Sequence, residues 1–397
     1  MQIGILFREI NSKNAIQTFN NHSYLRAMIF STSKTELQEA LQKLSKASPT
    51  RSTLPILSCV LIDSRQDKTI LRATDLEITI VTEIPSSLEE AGVAALPIKT
   101  LLDITSELPE TRITLSVDGQ SHAKIKTDLG DYNLMARQPD DFPTTPDQIE
   151  VETISIQGAI FKEIIDKTVF AVSRDELKPS LTGVLFQISD EGLTAVSTDG
   201  HRLVKHSRSD YVSEKKLEDI VVPKKFLNYL SSHIGNNEIS LSLNSSQLTA
   251  QVKKDTITTR LIDEVFPNYQ SVIPTNNKNK LKVGKTDLLG AIKRVSIFSN
   301  KSTHQVALSL SENECKLTTE DPEKSSKAQE KLTADYKGEP LSIGYNAEYL
   351  KDIVGHVSGE EVVIDLNTPI SAALFSSPKE NENFESTMLL MPIRLNE

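Results

Sequence analysis

Residues 37–44 read LQEALQKL, and a segment with this pattern occurs three times in the chain. The first, fourth, fifth and eighth positions are apolar here, and they are matched in FKEIIDKT at 161–168 and LLGAIKRV at 288–295. This i, i+3, i+4, i+7 spacing puts four side chains on one face of a helix. The step is 124 residues from Leu37 to Phe161 and 127 from Phe161 to Leu288, which indicates a copied unit.

Other landmarks repeat at the same step. Thr74-Asp75 recurs as Thr198-Asp199, and the Phe-Pro pair at 142–143 recurs at 266–267. Solenoid repeats span roughly 20 to 50 residues, whereas a unit of about 120 residues can close its own core. Proline-containing connectors at 140–146 and 266–274 mark the joints. We therefore expect three tandem domains at 28–150, 151–275 and 276–397.

Each repeat follows the order strand, helix, several strands, second helix and further strands. Residues 112–117, 238–243 and 361–366 alternate as strands with one buried face do, and Asp118-Gly119 is a hairpin signal. Second helices are expected at 99–108, 224–234 and 347–357. The pattern predicts an α+β fold in which each copy packs two helices on antiparallel sheet.

Composition limits the class of protein. The chain has 397 residues, 38% of them hydrophobic, and no apolar run near 18 residues, so we expect a soluble globular protein rather than a membrane protein. Cys59 and Cys315 lie in different repeats without a CxxC neighbour. A disulfide or metal site is the alternative, but the spacing favours two core thiols in a reducing compartment.

Residues 1–27 lie outside the repeat. No basic residue precedes their short apolar stretch, so the order typical of a secretory signal is missing. We expect a disordered tail or an upstream start codon, with Met28 as the functional beginning and the extension dispensable for stability and dimerisation.

Charge patterning gives two opposed signals. With 44 Lys+Arg against 54 Asp+Glu, the formal charge of -10 argues against tight electrostatic binding to nucleic acid. Yet Lys43, Lys167 and Arg294 occupy the equivalent slot of the three repeats, about 200° from the apolar stripe. Glu39 and Glu163 lie near the same face, so an ordinary solvated helix surface is the alternative. The functional interpretation is a mildly positive surface that faces a polyanion.

Catalytic patterns are scarce. Asp199 and His201 could form half of a hydrolytic triad, but no GxSxG elbow accompanies them and Asp-Gly is a common turn. The sequence contains no P-loop, no GxGxxG after a strand, no HExxH and no zinc-type cluster. We expect no cofactor, no metal and no catalytic activity; a three-domain hydrolase using His201 and Asp199 is the alternative hypothesis.

Six motifs on this repeat complete the sequence argument. They are TLPIL at 53–57, TDLE at 74–77, DFP at 141–143, TDGHRL at 198–203, FPNY at 266–269 and MPIRL at 391–395. With these motifs in this order, residues 28–395 resemble the bacterial sliding clamps, the β subunits of replicative DNA polymerase III. The clamps of eukaryotes and archaea have two domains per chain, so a chain with three repeats does not fit them.

The resemblance implies a cytoplasmic DNA sliding clamp. Two copies would join head to tail into a ring, with helices lining a central hole that holds double-stranded DNA without sequence preference. Such a processivity factor can be acidic, because topology rather than affinity retains it on DNA. The implied partners are the DNA polymerase III catalytic subunit, the clamp loader, and other polymerases and repair proteins that bind through short linear peptides.

The resemblance also assigns residues to three surfaces. A peptide pocket between the second and third domains comprises Leu181, Thr198, Gly200, His201, Arg202, Leu203, Pro267, Val272, Asn346, Tyr349, Ile370, Leu389, Leu390, Met391, Pro392, Ile393, Arg394 and Leu395. DNA contacts are expected from Lys43, Arg51, Lys167, Lys178 and Arg294, and the dimer interface from Tyr132, Leu134, Ile297 and Phe298. Ser271 and Thr303 depart from residues frequent in the family, arginine and phenylalanine, at the pocket rim.

Overall fold

The computed structural model describes residues 27–49, 51–65, 68–144, 152–211, 217–378 and 383–395. The expectations for residues 1–26 and for the joint at 150–151 lie outside the described residues. The chain forms two compact units, one containing residues up to 74 with 81–144, and one containing 75–80 with the residues from 145 onward.

In its described residues, the first repeat contains two α-helices and nine strands. The helices are α1 (Lys34–Leu44) and α2 (Ile98–Glu107). The strands are β1 (Met28–Ser33), β2 (Cys59–Ser64), β3 (Lys68–Thr74), β4 (Ile78–Pro85), β5 (Ser87–Glu90), β6 (Gly92–Pro97), β7 (Arg112–Val117), β8 (His122–Lys126) and β9 (Asp131–Met135). They pair in the orders β5-β1-β7-β8-β9 and β4-β3-β2-β6.

The second repeat has the same plan. Its helices are α3 (Gly158–Thr168) and α4 (Lys224–His233). Its strands are β10 (Glu152–Gln157), β11 (Gly183–Ser189), β12 (Gly192–Thr198), β13 (Arg202–Arg208), β14 (Ile220–Pro223), β15 (Glu238–Leu243), β16 (Gln247–Val252) and β17 (Asp255–Arg260).

The third repeat follows with α5 (Lys285–Ser296) and α6 (Ala347–His356). Its strands are β18 (Asn279–Gly284), β19 (Gln305–Ser311), β20 (Glu314–Asp321), β21 (Ser326–Thr333), β22 (Asp335–Tyr336), β23 (Leu341–Asn346), β24 (Glu361–Leu366), β25 (Ala373–Ser376) and β26 (Phe384–Leu390). The predicted α+β class and antiparallel pairing are confirmed.

A nine-stranded sheet explains why the second and third repeats form one compact unit. Its order is β14-β11-β12-β13-β26-β25-β24-β18-β22, so β13 of one repeat pairs directly with β26 of the next. The register joins Arg202 to Leu390 and Arg208 to Phe384. This continuous ladder fixes the position of the third repeat on the second.

The repeated helix stripe is buried in all three copies, as predicted. The residues are Leu37, Ala40, Leu41 and Leu44 in α1; Phe161, Ile164, Ile165 and Thr168 in α3; and Leu288, Ala291, Ile292 and Val295 in α5. Burial of each large apolar side chain contributes roughly 1.5–3 kcal/mol. The one polar member is compatible with the core because the Thr168 hydroxyl donates to the Ile164 carbonyl oxygen at 2.7 Å.

The two cysteines are buried free thiols, as the spacing indicated. Burial raises the pKa of Cys315 to about 12, so this thiol is protonated and unreactive at neutral pH. Among the described residues, no helix is long and apolar enough to cross a membrane.

Candidate functional site

The predicted pocket lies where β13 and β26 pair. Leu203 stands opposite Leu389 in the ladder, and both belong to a buried apolar cluster that includes Tyr269. The ladder thus brings residues separated by almost half the chain into contact. Leu181, Thr198, Arg202, Leu203, Leu389 and Leu390 are all buried, and we call these buried members the floor of the candidate pocket.

The C-terminal residues after β26 bridge the two repeats. The Met391 amide donates to the His201 carbonyl oxygen at 2.8 Å, and the Ile393 amide donates to the Gly344 carbonyl oxygen at 2.9 Å. A Cβ on Gly344 would lie 2.7 Å from the Leu395 side chain, so Leu395 packs closely on this glycine. Glycine is required there by the close approach of the tail.

Three large apolar side chains of the predicted pocket face solvent. Val272 is 54% exposed, Ile370 65% and Met391 41%. Gly200, His201, Pro267 and Arg394 are exposed as well, while Asn346, Tyr349, Pro392, Ile393 and Leu395 are partly buried. Exposed apolar groups rimmed by polar ones are typical of a protein-binding surface.

The turn between β12 and β13 is fixed by its own side chains. Asp199 Oδ1 accepts hydrogen bonds from the amides of His201 (2.9 Å) and Arg202 (3.0 Å), and Gly200 takes a left-handed φ of 88°. Asp199 Oδ2 accepts from Arg202 Nε at 3.1 Å. The His201 ring instead stacks on Tyr349, with 5.7 Å between ring centroids. Both carboxylate oxygens therefore position the turn, and the hydrolase alternative is not supported.

Arg202 joins the floor of the pocket to α6. Its Nη1 lies 2.7 Å from Asp352 Oδ2, its Nη2 donates to the Phe170 carbonyl oxygen at 2.9 Å, and its guanidinium carbon stands 4.7 Å from the Tyr349 ring centroid. The sequence analysis missed Asp352 and Phe170. Asp352 had a usable signal, since it lies three residues after Tyr349 and therefore on the same face of a predicted helix.

Asn346 is only partly available to a ligand. Its Oδ1 caps α6 by accepting from the amides of Glu348 (2.9 Å) and Tyr349 (3.3 Å). Its Nδ2 lies 3.5 Å from the Thr303 carbonyl oxygen, at the limit of a hydrogen bond. The amide nitrogen is therefore the group that can turn to a peptide. At the other rim position, the Ser271 hydroxyl donates to the Asn268 carbonyl oxygen at 2.8 Å.

The candidate DNA-contacting cations differ in their surroundings. Lys167 leaves the apolar stripe as predicted and is half-buried: its Nζ donates to the His356 carbonyl oxygen (2.6 Å) and to Ser358 Oγ (2.8 Å). Burial, followed by the nearby Lys285, lowers the pKa of Lys167. Lys167 is therefore less open to solvent than expected, because its ammonium donates to residues at and just after the end of α6.

The other candidates have different surroundings. Arg294 is exposed but forms a two-point contact with Glu330, with Nε–Oε1 at 2.9 Å and Nη2–Oε2 at 2.7 Å. Arg51 and Lys178 are exposed, and Lys43 is half-buried on α1. The positive surface predicted from the three repeats is thus weaker than its residue types suggest.

The predicted interface residues lie at one sheet edge and at the end of one helix. Tyr132 and Leu134 are on β9, the last strand of its sheet, and each is half-buried. Ile297 directly follows α5 and is 77% exposed, and the adjacent Phe298 is 45% exposed. Ser326 Oγ donates to the Phe298 carbonyl oxygen at 3.3 Å, so the edge strand β21 borders the same surface. Sequence reasoning missed β21, because only two of its four inward positions are apolar.

Comparison with known proteins agrees with this geometry. Three family models of the DNA polymerase III beta subunit match consecutive parts of this chain. They are the N-terminal domain at 28–146, the central domain at 155–268 and the C-terminal domain at 270–394. The beta sliding clamp of Pseudomonas putida is 31% identical over 373 residues, which cover 93% of this chain and 100% of the relative. The Vibrio cholerae clamp is 30% identical over 374 residues, with the same coverage.

A solved structure extends the comparison to the fold. The sliding clamp of Bartonella birtlesii bound to griselimycin superposes with a TM-score of 0.87 at 30% identity, covering 93% of this chain and 100% of that one. All three repeats are therefore clamp domains. The chain belongs to the DNA polymerase III beta subunit family, the bacterial β sliding clamps, which are processivity factors of DNA replication.

Proposed function

We propose that two copies of this chain close a head-to-tail ring around duplex DNA and receive the linear peptides of their partners in the pocket between the second and third repeats. The partners are the DNA polymerase III catalytic subunit, the clamp loader, other polymerases and repair proteins. The chain acts in the cytoplasm and needs no catalytic activity of its own. The domain limits 28–150, 151–275 and 276–397 belong to the same proposal.

One observation carries the pocket assignment: Met391, Val272 and Ile370 expose apolar surface around a floor made rigid by the β13–β26 ladder. A preformed apolar site with a few polar groups suits a short peptide, because little conformational entropy is lost by the protein. The Asn346 amide nitrogen and the stacked His201 and Tyr349 rings supply the polar side. A clamp relative bound to griselimycin gives further support.

DNA contact in this proposal is weak and independent of sequence. Arg51 and Lys178 are exposed and offer phosphate contacts, and Lys43, Lys167 and Arg294 are the further candidates on the helices. A net charge of -10 opposes close approach of a polyanion, so retention comes from encirclement.

Substitution of Met391 tests the pocket. We expect Met391→Ala to weaken binding of a labelled Gln-Leu-Phe-type peptide by on the order of 2 kcal/mol, or about 30-fold, because truncation of a central apolar anchor removes most of its contact. Fluorescence anisotropy measures the dissociation constant. Ile70→Ala, which shortens an exposed apolar side chain on β3, is the matched control and should bind like wild type.

The oligomer mass is expected to stay the same in both variants, since Met391 belongs to neither β9 nor the end of α5. Equal peptide affinity in wild type and Met391→Ala would refute the site.

A further inference from the structure

One face of α6 packs along the second repeat. Tyr349, Asp352 and His356 follow one another at spacings of three and four residues, so their side chains lie on one side of the helix. Arg202 binds the first part of this face: its Nη1 lies 2.7 Å from Asp352 Oδ2, and its guanidinium carbon stands 4.7 Å from the Tyr349 ring centroid. The contact therefore begins in the candidate pocket, to which Arg202 and Tyr349 both belong.

The C-terminal end of α6 is bound by an aromatic ring and an ammonium group of the second repeat. The Phe170 ring stacks on the His356 imidazole, with 3.7 Å between ring centroids and 9° between ring planes. The Lys167 Nζ donates to the His356 carbonyl oxygen at 2.6 Å and to Ser358 Oγ at 2.8 Å. Arg202 Nη2 donates to the Phe170 carbonyl oxygen at 2.9 Å, which joins these contacts to those in the pocket.

The Lys167 ammonium caps α6. His356 is the last residue of this helix, and carbonyl oxygens in the last turn of a helix have no amide partner within it. The helix dipole also favours a cation there. A second ammonium, from Lys285 at the start of α5, donates to the carbonyl oxygen of the next residue, Val357, at 2.6 Å. Of these two lysines, Lys167 is the one that reaches from the second repeat to the third.

We propose that Lys167 is a positioning residue for the peptide pocket: by capping α6 across the boundary between two repeats, it holds the helix that supplies Asn346 and Tyr349 to the site. The proposal rests on the peptide-binding function proposed above and adds a residue that lies outside the pocket.

The geometry of α6 explains how its far end affects the pocket. Asn346 is the N-cap of this helix, and its Oδ1 accepts from the Tyr349 amide at 3.3 Å, so both residues move with the first turn. The helix has ten residues and is therefore about 15 Å long. A packed helix transmits a displacement over that length, because its hydrogen-bonded turns move together.

Matched lysine variants test this role. Lys167→Met keeps the apolar stem of the side chain but removes its donors, whereas Lys167→Arg keeps a cation that can donate to carbonyl oxygens. Lys162→Met is the control, because it makes the same change on the same helix. The Lys162 Nζ donates to Asp166 Oδ2 (3.0 Å) and Ser231 Oγ (2.9 Å), and both acceptors lie within the second repeat.

Three quantities are measured for wild type and each variant. The first two are the dissociation constants of a Gln-Leu-Phe-type peptide and of a short duplex DNA at low salt. The third is the rate of amide hydrogen exchange in the last turn of α6, with α4 as the internal reference because it is the corresponding helix of the second repeat.

We expect Lys167→Met to weaken peptide binding by about fivefold, at the lower end of the coupling between two sites of one protein. Exchange in the last turn of α6 should rise by about the same factor, as for the loss of a charged helix cap, while α4 is unchanged. Lys167→Arg should remain within about twofold of wild type in both measurements. Duplex DNA affinity should be the same in Lys167→Met and Lys162→Met, since each loses one positive charge.

Equal peptide affinity in wild type and Lys167→Met would overturn the positioning role while leaving the pocket intact. An equal loss of peptide affinity in Lys162→Met would also overturn it, because the effect would then be one of general charge. If Lys167→Met loses duplex DNA affinity with its peptide affinity unchanged, Lys167 contacts DNA and the proposal is wrong. If no peptide binds wild type, the pocket itself is refuted, and this proposal with it.

Discussion

His206 is fully buried in the ladder that joins the second and third repeats, opposite Ser386. Its Nδ1 lies 2.6 Å from Ser386 Oγ, and its Nε2 is buried with no hydrogen-bond partner among the described residues. Burial lowers the pKa of His206 to about 4, with further lowering by Arg208 and Lys167. The imidazole is therefore neutral in the folded protein at neutral pH.

This histidine makes stability depend on pH. In the unfolded chain a histidine takes up its proton near pH 6.5, but folded His206 does so only near 4. The contribution of neutral His206 to the free energy of unfolding is complete above pH 6.5. It is lost as the pH falls towards 4, by a total of about 3 kcal/mol. We expect His206→Asn, which cannot titrate, to flatten the fall in melting temperature between pH 7 and 4.5.

The control for this prediction is His201→Asn, which changes an exposed histidine. It should keep the wild-type pH profile. Parallel profiles for wild type and His206→Asn would show that His206 does not carry the acid sensitivity.

Sequence could predict single residues only where the signal was local. The periodicity placed Leu41 and Ile165 in the core, and both are fully buried. Lys167 is half-buried, and this could not be predicted because its acceptors, on His356 and Ser358, lie 189 and 191 residues away in the chain. No local pattern reports a contact of that range.

At the scale of elements, helix starts were nearly right. The helix expected at 99–108 is Ile98–Glu107, since Pro97 fixes its own φ just before the first turn and so favours a start at the next residue. The strand expected at 112–117 is Arg112–Val117. Which strands end a sheet could not be predicted, because edge position depends on pairing between distant segments.

We expect ring closure to take place at two of those edges. We expect β9 of one copy to meet β21 of the other, because both are edge strands and exposed apolar side chains border them. Ile297→Ala combined with Phe298→Ala should produce monomers, since it removes most of the apolar surface beside β21. Light scattering at micromolar concentration measures the mass.

Leu177→Ala is the comparison for ring closure, as Leu177 is highly exposed but lies on a loop and belongs to neither edge strand. That variant should remain dimeric. A monomeric wild type, or a dimeric Ile297→Ala/Phe298→Ala variant, would contradict the interface.

At the scale of the whole molecule, the threefold repeat was the strongest signal in the sequence, and each repeat is a clamp domain. What the repeat could not show is that the pairing of β13 with β26 joins the second and third repeats into one compact unit. The net charge of -10 argues against tight DNA binding, and a protein that encircles DNA does not require it. The floor of the pocket depends on that same long-range ladder, so its buried and exposed members could not be separated from sequence.

Retention on DNA of different topology tests the central claim most directly. The protein is loaded by a clamp loader with ATP onto nicked circular plasmid, and its co-elution with DNA is measured before and after linearisation. We predict retention on the circle at moderate salt and release once an end is cut, because nothing but topology holds the ring. Equal retention on circular and linear DNA, or binding that persists on linear DNA at high salt, would contradict the account.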